Sequence, residues 1–287
     1  MWFKKQKLTE VLGINERNRS YIYPNNPKQY YQLADDKIKS KSILHENNIP
    51  CAETYAEIAK IGDIPRIWQN VTTKTSLAIK PSKGFGGGGI KILKKESKGN
   101  WLTNGHLITE QEIYAHMANI ILGVYSLNGN DRVLIEACIE PHYFFHEIYP
   151  VGVPDFRIIL LNATPVMGML RMPTAKSNGK ANLHQGGLGI GIDLAQGILK
   201  LGFDGKQYYN HHPDSHSIIN GKKIPFWDEI LNLSIMTSKY VPLNYLGVDI
   251  VIDAVKGPLI MEINIRPGLG IQQVNQTGLK KLLKQVG

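Results

Sequence analysis

Cysteine is scarce in this sequence: Cys51 and Cys138 stand far apart and show no CxxC spacing. Neither a disulfide framework nor a zinc knuckle can be built from such a pair. No apolar run reaches the roughly 18 residues a bilayer span requires, and the opening MWFKKQKLTE turns polar before a secretory apolar region can form. The expected compartment is therefore the cytoplasm, with peripheral attachment to a membrane partner left open. No glycine is followed directly by Lys and Ser or Thr, which excludes a Walker A loop, and the HRD and DFG motifs of protein kinases are missing. No Ser/His/Asp nucleophile arrangement is evident. Acidic residues are also in deficit, 24 Asp and Glu against 33 Lys and Arg, for a formal net charge of +9. That balance favours anionic partners. Basic and aromatic residues do not interleave as in a nucleic-acid-binding motif, so nucleic acid is not expected.

What is present suits a folded chain. Hydrophobic residues make up 43% and charged residues 20% of 287, enough for one large domain or two small ones sharing a site. The first stretch, through NERNRSYIYPNNPKQYY, reads as a short helix and an ordered, turn-containing arm. DDKIKSKSILHEN predicts a helix stopped by NNIP, and Thr109–Leu122 predicts another. SLAIKP and IKIL predict two strands around the glycine loop SKGFGGGG. VLIEACIE predicts a further strand, DFRIILLNATPVMGMLRM two strands around Asn-Ala-Thr-Pro, and KSNGKANLHQGGLGIGIDL a flexible loop over a ligand. Residues 204–225 read as a surface excursion, Pro225–Tyr240 as the last helix, and LGVDIVIDAVKGPLIMEINIRPG as two β-rich runs joined by AVKG.

Four groups of residues carry chemistry. Gly84, Gly86 and Gly89 satisfy GxGxxG, but strand-like residues follow, so the pattern is a strand–loop–strand flap rather than a dinucleotide fingerprint. Its free backbone N–H groups, with Gly87 and Gly88 adding flexibility, would fold over phosphates, and Lys80 lies on the strand that leads into it. In LIMEINI, strand alternation places Glu262 and Asn264 on one face. If AVKG closes a hairpin with a two- or four-residue loop, Asp249 lies opposite Asn264 or Glu262 respectively. These are hard oxygen donors suited to Mg²⁺. Asp155 and Arg157 share a strand face and Arg171 follows on a neighbouring strand, either to stabilise charge on a transferring phosphoryl group or as an Asp155–Arg157 salt bridge. HHPDSH reads as a surface turn outside the site; His142 and His146 read as packing or loop residues.

The order DDK, IKPSKGFGGGGI, LIEACIE, DFRI, NLHQGG, GVDIVID and MEINIRPG resembles the ATP-grasp superfamily, and most closely the alpha-L-glutamate ligase-like family, over residues from about 14 to 273. The resemblance implies an α/β (α+β) fold with two α+β subdomains gripping ATP between antiparallel sheets. The arm would occupy residues 1–36 and the ATP-grasp domain 37–287, with the glycine flap at about 72–140 and the metal and substrate subdomain at 141–287. It implies that Lys37 and Lys80 contact ATP phosphates, that Ser82 and the Gly84–Gly89 loop cover them, that Glu136, Ala137, Cys138 and Ile139 form the hinge beside adenine, and that Glu147 reaches the ribose. It further implies Arg157 and Arg171 near the γ-phosphate, Asn182 and His184 closing over them, and Asp249, Glu262 and Asn264 as ligands of Mg²⁺ or Mn²⁺.

Two departures stand out. Only 36 residues precede Lys37, so against that family most of the N-terminal substrate-side domain would be absent, and Arg266 stands where the ribosomal-protein-modifying ligases have a small residue. Arg266 would bind a substrate carboxylate through its fork. The expected activity is an ATP- and Mg²⁺-dependent carboxylate–amine ligase, joining an amine or amino-acid donor to a carboxylate acceptor through an acyl phosphate. The rival readings are a phosphotransferase of the same fold and a nucleotide-binding scaffold.

Overall fold

A computed structural model describes residues 8–84, 86–126 and 129–286. The chain divides into two compact units, one of residues 1–35, 39–51 and 140–287, the other of 36–38 and 52–139. Helix α1 (Lys37–Glu46) contributes residues to both.

The smaller unit is a six-stranded antiparallel sheet in the order β1-β6-β2-β3-β4-β5, of strands β1 (Thr54–Ile58), β2 (Ser76–Pro81), β3 (Lys91–Lys95), β4 (Trp101–Thr103), β5 (His106–Leu107) and β6 (Val133–Glu136). Helices α2 (Ile64–Val71) and α3 (Glu110–Ile121) pack on it, so residues 52–71 fold with the glycine flap. The helix expected from Thr109 is there because Thr109 and Glu112 form a capping box. Its apolar positions Ile113, Met117, Ile120 and Ile121 enter a core with Trp68, Leu77, Ile79 and Leu93. The two strands expected around the glycines pair in register, Ser76 with Lys94 through Ile79 with Lys91.

The larger unit is built on a seven-stranded antiparallel sheet, β11-β10-β9-β8-β7-β12-β13. Its strands are β7 (Asp155–Leu161), β8 (Thr164–Met172), β9 (Leu188–Asp193), β10 (Ile198–Phe203), β11 (Tyr208–Tyr209), β12 (Tyr245–Asp253) and β13 (Gly257–Asn264). Helices α4 (Trp227–Tyr240) and α5 (Leu279–Val286) complete it; α5 follows the helix expected to be last. All nine residues of β12 are buried, as a central strand covered on both faces requires. In the N-terminal arm, Ile14–Arg17, Asn18–Ile22 and Tyr23–Asn25 run on as α, π and α turns, and Leu12 and Ile22 enter this unit's core.

Three local expectations need correction. LGIGID is strand β9 rather than loop: its glycines serve close packing, since a Cβ at Gly189 would lie 2.5 Å from Val274 Cγ2. The excursion at 204–225 contains β11 and buries Ile219 and Ile224. Within it His212 is wholly buried, bonded through Nε2 to the Pro173 carbonyl at 2.9 Å and stacked on Tyr149.

Candidate active site

The β12–β13 hairpin closes on three residues, 254–256, between the paired Asp253 and Gly257. Asp253 Oδ1 accepts from the N–H groups of Val255 and Lys256, and Gly257 takes φ +72°, the left-handed conformation that such a turn demands of glycine. Three residues fit neither sequence alternative. A bulge at Met261 adds the missing residue, so that Asp249 faces Glu262 and Gly247 faces Asn264.

Around Asp249 the larger unit gathers its charges. Arg157, opposite Asp249 across the β7–β12 pair, donates Nε to Oδ1 at 2.8 Å and Nη2 to Oδ2 at 2.6 Å. Arg171 donates Nη2 to the same Oδ2 at 2.7 Å and Nε to Asp155 at 2.5 Å, while Asn264 Nδ2 reaches Oδ2 at 3.1 Å. Asp155 therefore pairs with Arg171, its register partner on β8, and not with Arg157 as the salt-bridge alternative had it. Burial alone pushes the Asp249 carboxyl up, but the guanidiniums of Arg157 and Arg171, with the bonds from Arg157 and Asn264, outweigh it and hold its pKa at about 2. Asp155 goes the other way: burial raises it, and Arg171 offsets only part of that. For Arg171, the two carboxylates overcome burial and raise its pKa.

This set fits a hard divalent cation by donor type. Asp249 is ionised at neutral pH and its Oδ1 carries a single bond, Glu262 faces it in register, and Asn264 bonds it directly. No group of three or more His, Cys, Asp or Glu side chains suited to a metal occurs among the described residues, so a site here depends on the amide of Asn264.

The smaller unit assembles the glycine loop. Lys37 Nζ donates to the Gly84 carbonyl at 2.6 Å, and its backbone N–H donates to the Ser82 carbonyl at 2.9 Å. Ser82, fully buried, donates Oγ–H to Asp36 at 2.5 Å, and Arg132 Nη2 reaches Asp36 at 3.0 Å. Lys80 and Glu136, both buried, form an ion pair. Ala137 N–H bonds the Glu53 carbonyl at 2.9 Å; Cys138 and Ile139 are half-buried beyond the end of β6, where burial pushes the Cys138 thiol up.

Sequence reasoning missed what holds the loop. Asp131 accepts from the Lys83 N–H at 3.1 Å through each carboxylate oxygen, at the loop's start. At its end, His116 on α3 bonds the Gly89 carbonyl through Nε2 at 3.0 Å, and Tyr125 reaches His116 Nδ1 at 3.5 Å. Burial, then Lys91, lowers the His116 pKa, so the neutral ring donates from Nε2 and accepts at Nδ1. Gly89 has φ +75°, and a Cβ there would lie 2.6 Å from Tyr125 Cγ, whereas at Gly86 and Gly87, also at positive φ, a Cβ meets nothing. Gly89→Ala is therefore expected to weaken binding of a nonhydrolysable ATP analogue about tenfold or more, and Gly87→Ala distinctly less. Isothermal titration checks the order; equal effects would remove the Tyr125 wall as its cause.

The remaining candidates each make contacts of their own. Asn182 caps the turn Leu183–Gln185, accepting from His184 N–H at 3.2 Å, and the His184 side chain is exposed. Neither bonds the Asp249 cluster among the described residues. Glu147 is exposed and pairs with Lys222 at 3.3 Å. Arg266 is exposed, its Cζ 5.1 Å from the Tyr31 ring centre.

Comparison with known proteins follows the same lines. The family described as sugar-transfer associated ATP-grasp matches residues 16–287. A D-alanine–D-alanine ligase from Bacillus anthracis superimposes with a TM-score of 0.51 at 16% identity, over 93% of this chain and 76% of that one. The D-cycloserine synthetase DcsG gives 0.51 at 10% identity, over 91% and 71%. The ATP-grasp ligase PsnB, solved with a minimal precursor, gives 0.47 at 13% identity; there the chain spans only 64% of its relative's length. A search of curated proteins finds no match. At these identities the likeness establishes the ATP-grasp fold, α+β with two antiparallel sheets. The family description names a sugar-transfer association and does not name the narrower alpha-L-glutamate ligase-like group that the motif order resembles.

Proposed function

We propose, for a chain that belongs to the sugar-transfer associated ATP-grasp family, that it is an ATP- and Mg²⁺-dependent carboxylate–amine ligase. The observation that carries this reading is the cluster of Arg157, Arg171 and Asn264 on the ionised Asp249, with Glu262 opposite. Two guanidiniums held by carboxylates are fixed in place before any substrate arrives, which is what charge stabilisation in a transition state requires. Mg²⁺, held by Asp249, Glu262 and Asn264, would supply charge neutralisation for the phosphates.

In the reaction, a carboxylate oxygen attacks the γ-phosphorus of ATP, the bond to the β-phosphate oxygen breaks and ADP leaves. The amine nitrogen then attacks the acyl carbon, the carbon–oxygen bond to phosphate breaks, inorganic phosphate leaves, and the nitrogen gives its proton to solvent. Arg157 and Arg171 offset charge on the transferring group. Lys37, Lys80, Ser82 and the Gly84–Gly89 loop bind the phosphates, residues 136–139 and Glu147 the nucleoside, and Asn182 and His184 cover the reacting groups. Glutamate as donor would follow from the alpha-L-glutamate ligase-like resemblance; Arg266, in place of a small residue, favours a donor or acceptor with a further carboxylate. The family's description makes a sugar-linked acceptor the first to screen.

The test is ADP release from Mg²⁺-ATP with panels of acids and amines, with mass spectrometry of the products. An amide should form only when both are present, and Glu262→Gln should lower turnover at least about 100-fold with its melting temperature preserved. ADP without amide would make the protein a phosphotransferase, and nucleotide binding without turnover a scaffold.

A further inference from the structure

The N-terminal arm carries a charge that the chemistry above does not use. Arg17 is only 7% exposed. Its Nη1 donates to the Pro267 carbonyl at 2.9 Å, and Nε and Nη2 share Asn18 Oδ1 at 3.1 and 2.9 Å. A guanidinium has five donors, so these bonds leave two unused. No carboxylate pairs with it among the described residues. Burial lowers its pKa; the Tyr245 hydroxyl opposes this, but the nearby charge of Arg266 lowers it further. A buried cation beside a second cation is costly unless an anion joins them.

The neighbours share the deficit. Arg266 lies over the Tyr31 ring, which orients its fork, and no carboxylate among the described residues takes up that fork. The hydroxyls of Tyr31 and Tyr245 are shut off from solvent and have no hydrogen-bond partner among the described residues. All of these groups can donate.

Their location relates them to the Asp249 cluster. Tyr245 and Asp249 occupy the same face of β12, four residues or about 13 Å apart. Between them is Gly247, where a Cβ would come within 2.7 Å of Pro267 Cβ, and a Cβ at Gly268 would lie 3.9 Å from Arg157 Nη1. The turn whose carbonyl Arg17 holds therefore runs beside Arg157.

We propose that Arg17, Arg266, Tyr31 and Tyr245 form a subsite for a second, non-reacting carboxylate of the ligase's substrate, supplied in part by the N-terminal arm. The carboxylate accepts from the two guanidiniums and the two hydroxyls, and a dicarboxylic acid or an amino acid with a free α-carboxylate is the matching class. That the carboxylate belongs to a ligase substrate rests on the function proposed above; the anion site itself does not.

The experiment needs no nucleotide. Thermal unfolding of the full chain is followed in titrations with glutarate, with its neutral diamide and with inorganic phosphate, at constant ionic strength. Glutarate should raise the melting temperature saturably and the diamide should not. Arg266→Gln, at an exposed position, and Arg17→Lys should each raise the half-saturating glutarate concentration tenfold or more. The proposal is overturned if glutarate gives no upshift, if the diamide matches it, if Arg266→Gln leaves the titration unchanged, or if phosphate acts at lower concentration. A saturable glutarate effect in a protein that never releases ADP would sink the ligase reading and leave the anion site standing.

Discussion

Asp249→Asn is expected to lower stability by about 3–5 kcal/mol and to abolish nucleotide turnover in the same variant. The reason lies in the partners left behind. Arg157 and Arg171 place three donors on this one carboxylate, and both guanidiniums are largely withdrawn from water. An amide keeps the shape but not the charge, so both arginines lose an ionic partner in a buried setting. A residue that served as a metal ligand alone would tolerate this change with the fold intact; Asp249, as the hub of two arginines, should not. The melting temperature should fall by roughly 10 °C or more, while Glu262→Gln should leave it nearly unchanged. Acid gives a parallel result. Because the Asp249 pKa is depressed to about 2, its stabilising contribution is present above the ordinary carboxylate range near 4 and is lost as pH falls from there through about 2. An Asp249→Asn variant that melts with the wild type would refute the hub role.

Lys80→Met should have an effect of similar size in the smaller unit. The lysine expected at phosphate and the glutamate expected at the adenine hinge are partners in one buried ion pair. The β2–β6 register explains it: Lys80 faces Leu134 and Ala78 faces Glu136, which makes Lys80 and Glu136 diagonal neighbours on one sheet face. Removing the lysine takes the ion-pair partner from a buried carboxylate, at a cost of about 3–5 kcal/mol. The double variant Lys80→Met with Glu136→Leu should recover most of that loss, since apolar replacement of a buried pair is often neutral. Nucleotide affinity should not recover with it. Urea unfolding and nucleotide titration of the three variants separate the two roles; restored affinity in the double variant would show that Lys80 acts through packing alone.

The fold was largely legible because its signals are local. A glycine loop between two alternating strands, a Thr109–Glu112 cap and the near-continuous apolar run of β12 each report their own conformation. The candidate site was legible where alternation sufficed, as for Glu262 and Asn264 sharing one strand face. LGIGID was read as a loop because glycine signals flexibility, and its role in letting β9 approach Val274 depends on a distant helix turn.

The sequence by itself determined which residue types lie on which strand face, because side-chain direction follows from the two-residue period of a strand. Only the tertiary structure decided their partners. Whether Arg171 or Arg157 answers Asp155 depends on the β7–β8 register, and whether Glu262 or Met261 faces Asp249 depends on the single bulged residue, Met261 itself. Arg17 and Pro267, 250 positions apart, are joined by chain folding that no local pattern encodes. Register and long-range packing are settled by burial summed over the whole chain, which is why the charges were visible in the sequence and their pairing was not.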